Sequence, residues 1–122
     1  MTAPNLLALT TITATNANVA IGSSATSLAS NASSSSELYK IDSLYIANAD
    51  NVAVTVTVNY YSAASLGGTA YPICSGVSIP ANTTLVVIER DSPVFLVENT
   101  SLGALASTAS ELTATIAYEV CS

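Results

Sequence analysis

Residues 52–61 read VAVTVTVNYY. Val52, Val54, Val56, Val58 and Tyr60 alternate with Ala53, Thr55, Thr57, Asn59 and Tyr61. Successive side chains of an extended strand point to opposite faces, so this period of two gives one dry face and one mixed face. A helix would scatter the same valines around its axis, and β-branched residues favour the pleated surface. The stretch is a half-buried strand, and it implies a sheet with a core beneath it.

The flanks extend the pattern in both directions. Before it, Asn48-Ala49-Asp50-Asn51 is a turn of residues that tolerate left-handed backbone. Ahead of the turn, residues 37–47 place Tyr39, Ile41, Tyr45 and Ala47 on one strand face and Leu38, Leu44 and Ile46 on the other. After it, Ser65-Leu66-Gly67-Gly68 marks a turn into Tyr71-Pro72-Ile73-Cys74. Proline cannot donate to a ladder, so that run is an edge strand or a strand end. Val77-Ser78-Ile79 leads to the turn Pro80-Ala81-Asn82-Thr83. Residues 84–90 (TLVVIER) are apolar on both faces, which predicts a central strand, and residues 93–97 form a short one. The chain closes with Leu112, Ala114, Ile116, Tyr118 and Val120 on one strand face.

The leading segment is different. Residues 6–15 hold one β-like run, and residues 22–36 (GSSATSLASNASSSS) have the composition of a flexible linker. Ala25, Thr26 and Leu28 within it are compatible with a weak strand. No segment carries an apolar period of 3.6. The expected architecture is an all-β antiparallel sandwich, jelly-roll-like, of about seven or eight strands. Residues 37–122 form its body, and residues 1–36 form an N-terminal strand and Ser-rich arm that orders on a partner.

Composition removes several function classes. Half the residues are hydrophobic and only 8% are charged, the opposite of a disordered chain. The strongly apolar runs, such as residues 85–88, fall far short of the ~18–20 residues of a membrane-spanning helix. The first basic residue is Lys40, too late for the basic region of a secretory signal, so the chain reads as mature and soluble. Lys40 and Arg90 are the only cations against eight carboxylates, for a net charge of −6. Nucleic-acid binding runs on Lys and Arg neutralising phosphates, so DNA and RNA are not expected partners.

Chemistry has little to work with. The chain has no histidine, the commonest general base. Lys40 and Asp42 lie two apart along one strand, which reads as a surface ion pair worth at most ~1 kcal/mol. No Gly-rich loop has phosphate-cradle spacing. With no His and no CxxC there is no zinc site to propose. Asp50 with Asn48 and Asn51, or Glu98 with Asn99, lacks the spacing of a calcium loop. Asn31, Asn82 and Asn99 head sequons that so Ser/Thr-rich a chain produces by chance. Cys74 and Cys121 read as reduced, semi-buried small hydrophobes, with a disulfide between them left open. The expectation is a protein that is not an enzyme and holds no cofactor or metal.

Two groups of residues stand out as candidate contacts. Glu89-Arg90-Asp91 is the one compact charged cluster. Arg90 there is either an interface anchor, as arginines at hot spots are, or the partner of a local carboxylate that tightens a turn. Six tyrosines beside one Phe and no Trp raise a sugar-stacking platform. Tyr39, Tyr45, Tyr60 and Tyr118 sit where core residues sit, so Tyr61 and Tyr71 are its candidates. A free monomer keeps about 25–35% charged residues on its surface, and this chain cannot, which suits a surface covered by neighbours.

The segment ELYKIDSLYIANAD (residues 37–50), the alternating Val/Thr strand, and VSIPANTTLVVIERDSPVFLVENTSLGALASTASEL followed by TATIAYEV (residues 77–120) carry a family likeness. Together with the Pro4-Asn5-Leu6 opening they resemble small proteins of marine tailed bacteriophages, including cyanophages. The match spans nearly the whole chain and rests on strands and turns. The resemblance implies a virion structural protein of β-sandwich type with no catalytic residues. It implies first a capsid decoration (cement) protein on the major capsid protein, homo-oligomeric and often trimeric, made in the bacterial host cytoplasm. Second, it implies a neck, collar or tail accessory protein, with the N-terminal segment clamping a neighbour by strand addition. A glycan-binding host-recognition module is the reading from a different class. One departure stands: members end in paired acidic residues, whereas this chain ends Tyr118-Glu119-Val120-Cys121-Ser122.

Overall fold

The computed structural model describes residues 6–122. Among the described residues, a 3-10 turn, Leu6–Ala8, is followed by nine strands: β1 (Ile12–Ile21), β2 (Thr26–Asn31), β3 (Leu38–Asn48), β4 (Val54–Ala63), β5 (Gly67–Ile79), β6 (Thr84–Ile88), β7 (Val94–Leu96), β8 (Thr100–Ala106) and β9 (Leu112–Cys121). One sheet has the order β1-β9-β3-β6, with β7 also pairing with β3; the other has the order β2-β8-β4-β5. Every pairing is antiparallel. The fold is an all-β sandwich, one strand richer than expected.

The core lies between the sheets and follows from alternation. Val54, Val56 and Val58 of β4 and Leu102, Ala104 and Ala106 of the neighbouring β8 line one side of it. Ile41, Leu44 and Ile46 of β3 and Leu112, Ala114 and Ile116 of β9 close it from the other. Each fully buried Val, Leu or Ile side chain contributes roughly 1.5–3 kcal/mol. Tyr39 and Tyr118 stack with ring centroids 5.3 Å apart and an interplanar angle of 24°, at the margin of this core.

Four sequence expectations change. The Ser-rich stretch contains β2, which pairs with β8 and buries Leu28, Ala29 and Asn31. With β1 on β9, residues 12–31 thus supply an edge strand to each sheet, and no break in the sandwich falls at residue 36. In β3, the register shift between Ile41 and Ser43 leaves Asp42 as an extra residue. A bulge inverts the alternation, so Ile41 joins Leu44 and Ile46 in the core and Tyr45 turns outward. The TLVVI run, β6, lies at an edge rather than the centre. A second shift, where Leu44 pairs with Ile88 and Tyr45 with Val86, explains its two apolar faces: Ile88 is buried and Val86 is exposed beside Tyr45. Finally, β4 begins at Val54, leaving Val52 exposed in the turn.

Two buried asparagines hold the loops. The Asn48 amide donates to the carbonyls of Val52 (3.0 Å) and Ile79 (2.9 Å), and its Oδ1 accepts from the Asp50 N–H at 2.9 Å. Asn31 donates to the carbonyls of Glu37 and Leu96, both at 2.9 Å, and accepts from the Ser35 hydroxyl. Among the described residues no buried side-chain nitrogen or oxygen lacks a partner.

Candidate assembly surface

Among the described residues no three of His, Cys, Asp and Glu gather as metal ligands.

The outer face of the first sheet is set by register. One row crosses it as Asn18, Thr115, Tyr45 and Val86, and the next as Ala20, Thr113, Ala47 and Thr84. Tyr45 and Val86, opposite each other, are each 43% exposed. Toward the other end the row is Ala14, Glu119, Lys40 and Phe95. The charged side chains of these strands are Lys40, Asp42 and Glu119, and the Lys40 ammonium stands 3.7 Å from the Asp42 carboxylate. The rest of the face is Thr, Asn, Ala and aromatic or branched apolar residues.

One end of the outer face of the second sheet is covered by its own hairpin. Ser65 and Leu66, at the tip between β4 and β5, both have positive φ (57° and 60°). A left-handed leucine is costly, so the surrounding contacts must hold it. Three successive backbone N–H groups are captured: Ala64 donates to Asn99 Oδ1 (3.1 Å), Ser65 to Ser30 Oγ (2.9 Å) and Leu66 to Ser101 Oγ (2.9 Å). Ser101 Oγ in turn donates to the Ala63 carbonyl at 2.8 Å. The Leu66 side chain and the Tyr61 ring lie over Gly103, where a Cβ would come within 2.6 Å of Leu66 Cδ2.

That arrangement settles where the candidate contacts stand. Tyr61 is 7% exposed, whereas Tyr71 is 56% exposed. Tyr71 pairs with Tyr60 and Tyr61 with Ala70, so Tyr61 and Tyr71 point to opposite faces and form no common platform. Glu89, Arg90 and Asp91 are all exposed, in the loop joining β6 to β7. There the Ser92 N–H donates to the Glu89 carbonyl at 3.0 Å, a tight turn that splits this sheet edge into strands of five and three residues. Cys74 and Cys121 are both free. Burial raises the pKa of each thiol; Glu119 pushes Cys121 further up, and a backbone hydrogen bond from Val58 partly offsets the rise at Cys74.

The feature that residue-by-residue reading passed over is the edge of β1. Its sequence signal was present: residues 12–21 (ITATNANVAI) hold no charged residue, no proline and no glycine.

No protein-family model matches the chain, and no curated protein matches it. A solved structure, from the Bacillus endospore appendages described as a family of disulfide-linked pili, matches over 91% of this chain and 85% of its own. The TM-score is 0.53 at 14% sequence identity, so the likeness is one of fold.

Proposed function

We propose that this chain is a non-enzymatic structural subunit that acts by being built into a repeating assembly. We further propose that the assembly is the shell of a tailed bacteriophage, where the chain decorates the major capsid protein. The outer face of the first sheet carries the first statement. Three strands of ten or eleven residues, with β6 and β7 along the β3 edge, give a face of roughly 600 Å², most of the ~800 Å² that each partner in a stable interface buries. Its charges, Lys40, Asp42 and Glu119, gather toward one end, and Tyr45 and Val86 stand exposed at the other. Depletion of charge around the exposed Tyr45 and Val86 is the composition of an interface core. The resemblance of residues 37–50 and 77–120 to marine phage structural proteins supports the second statement. Sugar recognition draws less support, because Tyr61 is buried and Tyr71 lies on the opposite face.

The test is reconstitution. Phage shells lacking this chain, mixed with the purified protein and sedimented, should take it up saturably in a fixed ratio to the major capsid protein. Failure to bind shells would overturn the decoration reading. Uptake only at the neck or tail would move the chain there, and binding to a glycan array without binding to particles would replace the structural reading.

A further inference from the structure

Among the described residues the sandwich presents four sheet edges, and three are interrupted. β2 is six residues long with a register shift between Ser27 and Ala29. β5 contains Gly67, Gly68, Pro72 and Gly76 and three register shifts. The β6/β7 edge is broken by the charged turn at residues 89–91. Short length, proline, bulges and charge are the means by which proteins stop edges from pairing with other chains. β1 has none of them, and its ten residues pair with β9 in unbroken register.

The phase of that edge follows from one pair beyond the strand. Thr11 N–H donates to the Ser122 carbonyl at 3.0 Å and Ser122 N–H to the Thr11 carbonyl at 2.9 Å. Such an exchange defines a hydrogen-bonded pair, and antiparallel ladders alternate these with non-bonded pairs. Thr13, Thr15, Ala17, Val19 and Ile21 therefore turn their backbone groups to β9. Ile12, Ala14, Asn16, Asn18 and Ala20 aim theirs at the open edge.

We propose that the β1 edge is the site at which a second copy of this chain adds, antiparallel, about a two-fold axis through Asn16. The five outward residues are evenly spaced and centred on Asn16. With the axis there, Asn16 faces Asn16, Ala14 faces Asn18 and Ile12 faces Ala20, so every outward N–H and C=O finds a partner. A shift of two residues strands Ile12 or Ala20. The same register sets Thr13 against Val19 and Thr15 against Ala17 on the core side, small or branched residues throughout. Charge on the strand does not oppose the pairing. Two copies at −6 each repel, and like charges directly opposite destabilise a sheet; β1 carries none. The result is a continuous sheet, β9-β1-β1-β9, whose two central strands carry no charged residue. This inference rests on the structural-subunit reading and names one of its partners.

The test uses the purified full-length chain with no particle present, so its failure is separable from failure to bind shells. In sedimentation velocity the wild type should pass from monomer to dimer as concentration rises. Asn16→Pro removes an outward N–H at the axis and leaves the β9 ladder intact. It should stay monomeric at the same concentrations while melting cooperatively. Opposed Cα atoms in a hydrogen-bonded pair stand ~5.5 Å apart, within disulfide reach. With diamide as oxidant, Asn16→Cys should therefore give a disulfide dimer several-fold above the wild-type background, and Asn18→Cys should not. A wild type that is monomeric throughout, a dimer that survives Asn16→Pro, or equal trapping at positions 16 and 18 would overturn the proposal.

Discussion

Thr11 and Ser122 exchange both of their backbone hydrogen bonds, and this single pair, in register with the ten that follow it, decides which amides of β1 belong to the sandwich. The amides of Thr13, Thr15, Ala17 and Val19 are committed to β9, and those of Ala14, Asn16, Asn18 and Ala20 face outward. Hydrogen exchange in dilute solution should alternate along the strand, slow at the odd positions and fast at the even ones. Concentrating the protein should slow the even positions selectively. Uniform protection in the dilute sample would show that another segment covers the edge.

Asn48 ties the β3–β4 turn to the end of β5 through bonds to the Val52 and Ile79 carbonyls. Asn48→Ala leaves the buried Ile79 carbonyl and the part-buried Val52 carbonyl without this donor, and an unsatisfied buried group costs about 1–3 kcal/mol. Urea unfolding should show a loss of about 2–4 kcal/mol with an unchanged m-value. A loss under about 0.5 kcal/mol would mean that water replaces the amide freely.

Gly103 leaves room for the folded-back hairpin tip. Gly103→Ala puts a methyl group against Leu66, Tyr61 and the Thr26 carbonyl, and overpacking of this kind costs about 1–3 kcal/mol. Trimming the opposing side chain in Gly103→Ala/Leu66→Ala should recover part of that loss, a non-additivity that a double-mutant cycle reads directly. Strict additivity would place the two residues out of contact.

Both thiols and Tyr39 are harder to ionise in the fold than in the open chain, through burial first and, at Tyr39, through Glu37 and Tyr118 as well. When the folded pKa is raised, the unfolded state loses its proton first as pH rises, and stability falls. The melting temperature should therefore be insensitive to these groups below the ordinary thiol value of 9.0 and decline above it, with a further decline above 10.0 as tyrosine ionises. Cys121→Ala should flatten the first part of that decline. A melting temperature that rises between pH 8.5 and 10 would contradict the sign.

The fold class was legible because β4 and β9 alternate with a period of two in sequence; Pro72 allowed an edge strand or a strand end, and β5 is an edge strand. What was not legible has local causes. One extra residue, Asp42, inverts the faces of β3, and nothing in LYKIDSLYIAN announces it. β2 hides in a serine-rich stretch whose polar side chains bond within the fold, Ser30 Oγ accepting from the Ser65 N–H. β6 reads as central because its outward Val86 is apolar, a property of the surface and not of burial. The charged cluster at residues 89–91 was the visible candidate contact, and the structure puts it where it interrupts an edge. The candidate contact on β1 is defined by what its sequence lacks, which a search for chemistry-bearing residues does not detect.

The most direct test of the central claim, that this chain is a structural component of a phage particle, is its copy number. Quantitative mass spectrometry of purified particles from the source would give the ratio of this chain to the major capsid protein. Decoration of the shell predicts a fixed ratio of the same order as the capsid protein itself. Absence of the chain from the particle would contradict the claim.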